Sequence, residues 1–210
     1  MRTFRHWTPR YLISRVVEKQ YRRTHPDLPW LTQTANRMLD TLILPRDQGL
    51  EFGSGRSTLW FANRVRHLTS VEHNPEWYAR VNAWLAEKSL HNVDYRLCPG
   101  KDQAVNRNEL PEYVQIVNDL PGNSLEFVLV DGIFRDACAL LALEKLKPGG
   151  FLIIDNANLY LPSRSCSPNS RTEQNGPASR LWEQFILQTK DWRKIWTSNG
   201  VSDTAFFFKG

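Results

Sequence analysis

Four carboxylates and two glycines carry most of the chemistry legible in this sequence. Glu51 lies in a short apolar run, GLEF, that leads into the turn Phe52-Gly53-Ser54-Gly55, with Ser57 just beyond. Gly53 and Gly55 allow tight turning and close approach of the backbone to a ligand. Glu72 closes the next apolar run, HLTSVE, 21 residues after Glu51. A carboxylate so placed can accept hydrogen bonds from both hydroxyls of a ribose, and the pair predicts a bound nucleoside. Asp131 closes FVLVD, and Asp155 with Asn156 closes FLIIDN. If those runs are neighbouring strands, all four acids stand on one rim.

The elements needed to position them can be read from pattern. PDLP (26–29) breaks the chain, WLTQTANRMLDTLIL has helical spacing, and Pro45 ends that helix. GLEF, HLTSVE, NVDYRL, LEFVLVDG and FLIIDN read as strands. Between them TLWFANRV, the helix opened by Asn74-Pro75-Glu76, the weaker ELPEYVQIVNDL and DACALLALEKL read as helices, the last ended by KPGG. Residues 162–180 are polar and read as a mobile loop; RLWEQFILQT is a helix, and WRKIWTSNGVSDTAFFFKG forms two final strands. Strand and helix in alternation predict an α/β fold, a three-layer, Rossmann-like, mostly parallel sheet with helices on both faces. Ligands in such sheets bind beyond the carboxyl ends of the strands. We expect residues 1–45 to form a basic helical segment capping the substrate, and 46–210 the nucleoside-binding domain with a polar loop at 156–180.

Charge selects the nucleoside. A dinucleotide fingerprint has a third glycine where this chain has Thr58, and no P-loop lysine motif is present. Glu51, two residues before Gly53, would repel a pyrophosphate. It suits a ligand bearing positive charge, such as the ammonium and sulfonium of S-adenosylmethionine.

LEFGSGRST, SVEHN, FVLVDG and LKPGGFLIIDN resemble, in order, the motifs of the class I S-adenosylmethionine-dependent methyltransferases. The resemblance covers about residues 47–158 and the final strand pair. It implies a seven-stranded sheet with an antiparallel last strand. It implies that Glu51, Phe52, Gly53, Ser54, Gly55 and Ser57 surround the methionine end, that Glu72 binds the ribose, that His73 packs on the adenine, and that Asp102 borders it. Asp131 would join them. A narrower resemblance, to the catechol O-methyltransferase-like group, implies Mg²⁺ on Asp131, Asp155 and Asn156, three hard oxygen ligands that would orient an acceptor hydroxyl. That group's catalytic lysine falls here on Phe134, and the neighbouring Arg135 is a poor base because it stays charged. Asp131, Asp155, Asn156 and Arg135 are therefore the candidate catalytic residues.

The acceptor is constrained by what else the sequence holds. Asp131-Gly132-Ile133-Phe134 lacks the Asn/Asp-Pro-Pro-aromatic motif of amino-methylating relatives, and Cys138 lies in an apolar helix rather than as a nucleophile. Methylation of oxygen on a small molecule is the expectation. The chain has 27 Lys+Arg against 22 Asp+Glu, and residues 1–37 alone carry a net charge of +6. That segment, with Arg164, Arg171 and Arg180 in the polar loop, favours an anionic acceptor. RNA is the alternative partner, and a non-catalytic binding module the alternative role. Three scattered cysteines and no long apolar stretch predict a cytoplasmic protein without a membrane span.

Overall fold

A computed structural model describes residues 8–99 and 110–210. Seven strands form one sheet: β1 Gln48–Phe52, β2 His67–Glu72, β3 Val93–Leu97, β4 Leu125–Val130, β5 Leu146–Asp155, β6 Arg193–Ser198 and β7 Asp203–Phe208. Their order across the sheet is β3-β2-β1-β4-β5-β7-β6. The first five strands are parallel, and β7 runs antiparallel between β5 and β6. The order reverses between β1 and β4, which opens a crevice at their carboxyl ends.

The helices are α1 Pro9–Thr24, α2 Gln33–Leu42, α3 Arg56–Ala62, α4 Pro75–Glu87, α5 Glu112–Gln115, α6 Arg135–Ala142 and α7 Arg180–Gln188. Strand alternation sends side chains to two apolar layers. Phe127, Leu129, Phe151, Ile153 and Phe206 meet Ala35 and Leu39 of α2 and Trp60 and Phe61 of α3. Val128, Val130, Leu152, Ile154 and Phe207 meet Ala139 and Ala142 of α6 and Trp182 and Phe185 of α7. Both faces of the central strands are thus covered, as their uninterrupted apolar runs require. Gly49 fits this packing because a Cβ there would lie 2.1 Å from the Phe127 ring.

Three expectations shift. α2 is part of the sandwich, since Ala35 and Leu39 are fully buried in it. β5 begins at Leu146 and runs through Pro148-Gly149-Gly150, with an irregular register against Leu125 and Phe127. The segment after β5 is pinned, not free. Ser167 Oγ donates to the buried Asp203 Oδ1 at 2.5 Å, and Trp196 Nε1 donates to Asp203 Oδ2 at 2.7 Å. Arg171 N–H donates to the Asn158 carbonyl, and Ala178 N–H to the Tyr160 carbonyl. Its polar composition concealed these bonds, because serine and asparagine serve loops and buried networks alike. Among the described residues no helix is long and apolar enough to cross a membrane.

Candidate active site

The crevice between β1 and β4 begins where two glycine backbones touch. A Cβ on Gly53, whose φ is +93°, would meet Gly132 N at 2.6 Å. A Cβ on Gly132 would fall 1.9 Å from the Tyr113 hydroxyl. Only glycine serves at either position. Gly55 differs: its nearest neighbour to an added Cβ is the Trp77 ring at 3.8 Å, so space remains above it.

Glu51 is fully buried beneath this turn. Its Oε2 accepts from Thr58 Oγ1 at 2.5 Å and from Ser70 Oγ at 2.7 Å, while Oε1 has no hydrogen-bond partner among the described residues. Thr58 Oγ1 in turn accepts from Gly55 N–H at 2.9 Å, tying the carboxylate to the start of α3. Burial pushes the Glu51 carboxyl up to about 7, with the charge of Asp131 acting in the same direction and the hydroxyls of Ser57, Thr58 and Ser70 opposing. An orphaned buried carboxylate oxygen is costly unless something donates to it. The ammonium of S-adenosylmethionine is such a donor, so the residues fit that cofactor.

This fit sets a pH dependence. The ammonium prefers the ionised carboxylate, so affinity for S-adenosylmethionine should rise, by up to about tenfold per pH unit, until near pH 7, and should fall again above about pH 8 as the ligand's own amine loses its proton. The unliganded protein responds in the opposite sense: a carboxyl raised above its ordinary 4.5 loses stability as pH climbs from there to about 7. Titration calorimetry between pH 5.5 and 8.5, as about six steps, would check this; Glu51→Gln should give weak, flat binding.

Glu72, at the end of β2, is nearly buried. Its Oε2 accepts from Ser54 N–H at 3.1 Å and Ser54 Oγ at 2.8 Å. Its Oε1 accepts from His73 N–H at 2.9 Å and Asn74 N–H at 2.8 Å. Ser54 Oγ also lies 2.7 Å from the Tyr95 hydroxyl. The carboxylate therefore knits the glycine turn to the start of α4. The His73 ring meets Tyr113 edge-on at 6.1 Å, leaving it beside Glu72 on the rim.

Asp131 and Asp155 end β4 and β5, and one guanidinium stands among their oxygens. Arg135 Nη2 donates to Asp131 Oδ1 at 2.8 Å and to the Asp131 carbonyl at 2.6 Å. Nη1 donates to the Asp155 carbonyl at 2.6 Å and lies 3.5 Å from Asn156 Oδ1, and Nε donates to the Gly132 carbonyl at 2.9 Å. Asp155 Oδ1 is taken by the Thr204 hydroxyl at 2.9 Å. Burial raises Asp155 to about 7, with the charge of Asp131 adding to it and Arg135 opposing. A divalent cation on Asp131, Asp155 and Asn156 does not fit, because Arg135 already supplies the positive charge at that point. Among the described residues no group of three His, Cys, Asp or Glu side chains could hold a metal.

The structure thus gathers Glu51, Gly53, Ser54, Gly55, Ser57, Glu72, His73 and Asp131 about the crevice. Phe52 points into the core against Tyr113, so its main chain alone faces the rim. Asp102 lies outside the described residues. Cys138 is buried, as its apolar helix predicts. Sequence reading missed Ser70, Tyr95, Tyr113 and Thr204. Ser70 sits one strand across from Glu51 in register, a pairing no local pattern reveals.

Residues 50–157 match the model of a methyltransferase domain. The chain belongs to that family and, with it, to the class I S-adenosylmethionine-dependent methyltransferases. No curated protein matches the chain. Solved structures share the fold. A methyltransferase-like protein from Silicibacter pomeroyi is 22% identical over 85% of this chain and 87% of its own, with a TM-score of 0.59. A candidate caffeoyl-CoA O-methyltransferase from Staphylococcus aureus is 15% identical over 92% and 91%, with a TM-score of 0.57. TYW2 of M. jannaschii, in complex with AdoMet, is 13% identical over 84% and 75%, with a TM-score of 0.51.

Proposed function

We propose that this methyltransferase methylates an oxygen of a small anionic molecule without using a metal ion. The observation that supports an anionic acceptor is a cavity of about 1350 Å³ at the β6 edge of the sheet, walled by α1, the segment after β5, α7 and the β6–β7 turn and sharing no residue with the rim of Glu51, Glu72 and Asp131. Among the described residues, Arg10, Arg164, Lys190 and Lys194 line it, against the single acid Glu173. Four cations facing one carboxylate favour an anion. Arg171 is engaged elsewhere, donating to the Gly176 and Asn175 carbonyls, so the loop arginines divide between structure and cavity.

Bound S-adenosylmethionine supplies a methyl group on a sulfonium centre. The chain's own residues bind and orient. Glu51 Oε1 receives the ammonium, Glu72 the ribose hydroxyls, and Asp131 borders the methionine end. Arg135 holds the Asp131 and Asp155 main chains in fixed register, so the acceptor is positioned by a rigid rim and transfer is driven mainly by proximity. Oxygen is favoured because Asp131-Gly132-Ile133-Phe134 is not an amino-methylating motif and Cys138 is buried; the candidate O-methyltransferase of the same fold supports that choice.

The test is a screen of hydroxylated acids against their neutral esters, following methyl transfer. Acids should be preferred. Replacing Lys194 and Arg164 with glutamine should raise KM for them by about tenfold while kcat and cofactor affinity hold. Equal use of acids and esters would remove the anionic reading.

A further inference from the structure

α1 is turned inside out. Its inward side carries Glu18, which is buried and paired with Arg15 at 2.9 Å and with Arg22. Its outward side carries Leu12, Ile13, Val16 and Val17, which are 45%, 65%, 69% and 52% exposed. Their spacing, i, i+1, i+4 and i+5, places all four on one face. An ordinary surface helix does the reverse and buries its apolar stripe. α1 is seated on the β6–β7 turn, where a Cβ on Gly200 would fall 2.6 Å from Ser14 Oγ. Near its carboxyl end, Arg22 pairs with Glu18 and lies over the Trp30 ring at 5.1 Å.

The charge around the face identifies what covers it. Arg10, Arg15, Lys19 and Arg23 are exposed on this helix, and its one acid, Glu18, points inward. Sixteen residues give a helix about 24 Å long, with aliphatic side chains along it and cations at its flanks. An aliphatic strip rimmed by cations and free of outward acids matches an anionic bilayer surface, where apolar side chains enter the acyl boundary and cations meet head-group phosphates. A second copy would bring the same cations against each other, which disfavours self-association through this face.

We infer that α1 docks this enzyme on anionic membranes, with its inner side forming one wall of the cationic cavity. Co-sedimentation of the full chain with phosphatidylcholine vesicles, with and without phosphatidylglycerol, tests it. Binding should require phosphatidylglycerol and should fall steeply with added salt. Ile13→Ser with Val16→Ser should weaken binding by roughly tenfold to a hundredfold, and Lys19→Gln with Arg23→Gln should flatten the salt dependence. S-adenosylmethionine binding and thermal melting should stay as in the parent, since these side chains face solvent. Absence of binding to phosphatidylglycerol vesicles would overturn the inference. So would equal binding to neutral vesicles. A dimer in solution that the double serine variant dissociates would overturn it in favour of a subunit contact. None of these outcomes bears on methyl transfer to soluble acids, so failure here and failure of the acceptor reading are distinguishable.

Discussion

Replacing Glu72 with glutamine is expected to weaken S-adenosylmethionine binding by roughly a hundredfold, with S-adenosylhomocysteine affected equally. The two ribose hydroxyls would donate to one carboxylate, and charge-assisted bonds contribute about 1.5–3 kcal/mol each. Glutamine offers one acceptor oxygen and turns donors toward the others. Glu72 also accepts from Ser54 N–H, Ser54 Oγ, His73 N–H and Asn74 N–H, so alanine would do more than remove a ligand contact. Four donors would lose their partner, and the turn before α3 would part from the start of α4. Calorimetric titration separates the two effects. Glutamine keeps one acceptor oxygen and sets its amide against the N–H donors at the other, so it should bind weakly and lose a few degrees, whereas alanine, with all four donors unpartnered, should lose more. Unchanged affinity in the glutamine variant would show that the ribose is held elsewhere.

The second large effect is expected at Arg135. Its guanidinium donates to the main chain at Gly132, Asp131 and Asp155 and to the Asp131 carboxylate, joining the ends of β4 and β5. Removing one partner of a buried ion pair costs about 3–5 kcal/mol, and less here because the Asp131 side chain is a third exposed. Arg135→Ala should therefore lose about 2–4 kcal/mol, or roughly 4–16 °C in melting temperature for a chain of this size. Turnover should fall further than stability accounts for, since the two strand ends that frame the acceptor are no longer held in register. Arg135→Lys should recover little, because a single ammonium cannot span four oxygens in the plane of a guanidinium fork. The parent enzyme should be indifferent to chelators and to added Mg²⁺. Loss of turnover on chelation would show that a cation displaces the guanidinium during the reaction.

The parts of the site legible in the sequence are those set by local pattern. The strand ends bearing Glu51, Glu72, Asp131 and Asp155, and the turn at Gly53, follow from apolar runs meeting glycine and acid. Contacts between strands were not legible. Ser70 reaches Glu51 only through the register of β1 with β2, and Thr204 reaches Asp155 only because β7 lies against β5. Arg135 was legible as a residue but not as a bond. Its spacing of four from Asp131 is a helical pairing, yet Asp131 precedes the helix, and Phe134 at φ +48° bends the chain so that the side chain turns back over the rim. The segment 162–180 misled for the opposite reason. Its composition is that of a free loop, while Ser167, Asn158 and Asp203 form a satisfied polar network that holds it down.

The place of β7 in the sheet also governs when the active site can come into being. β7 is last in sequence but lies inside the sheet, between β5 and β6. Until it is made, β6 has no partner strand, β5 presents a bare edge, and Asp155 lacks the Thr204 hydroxyl. A nascent chain can assemble the crevice at the ends of β1 and β4, with β2 and β3 beside them, before β6 and β7 are made. Asp155 must wait for its Thr204 partner on a strand some fifty residues further along the chain. Until β7 is in place, the edge of β5 is open to pairing with other chains.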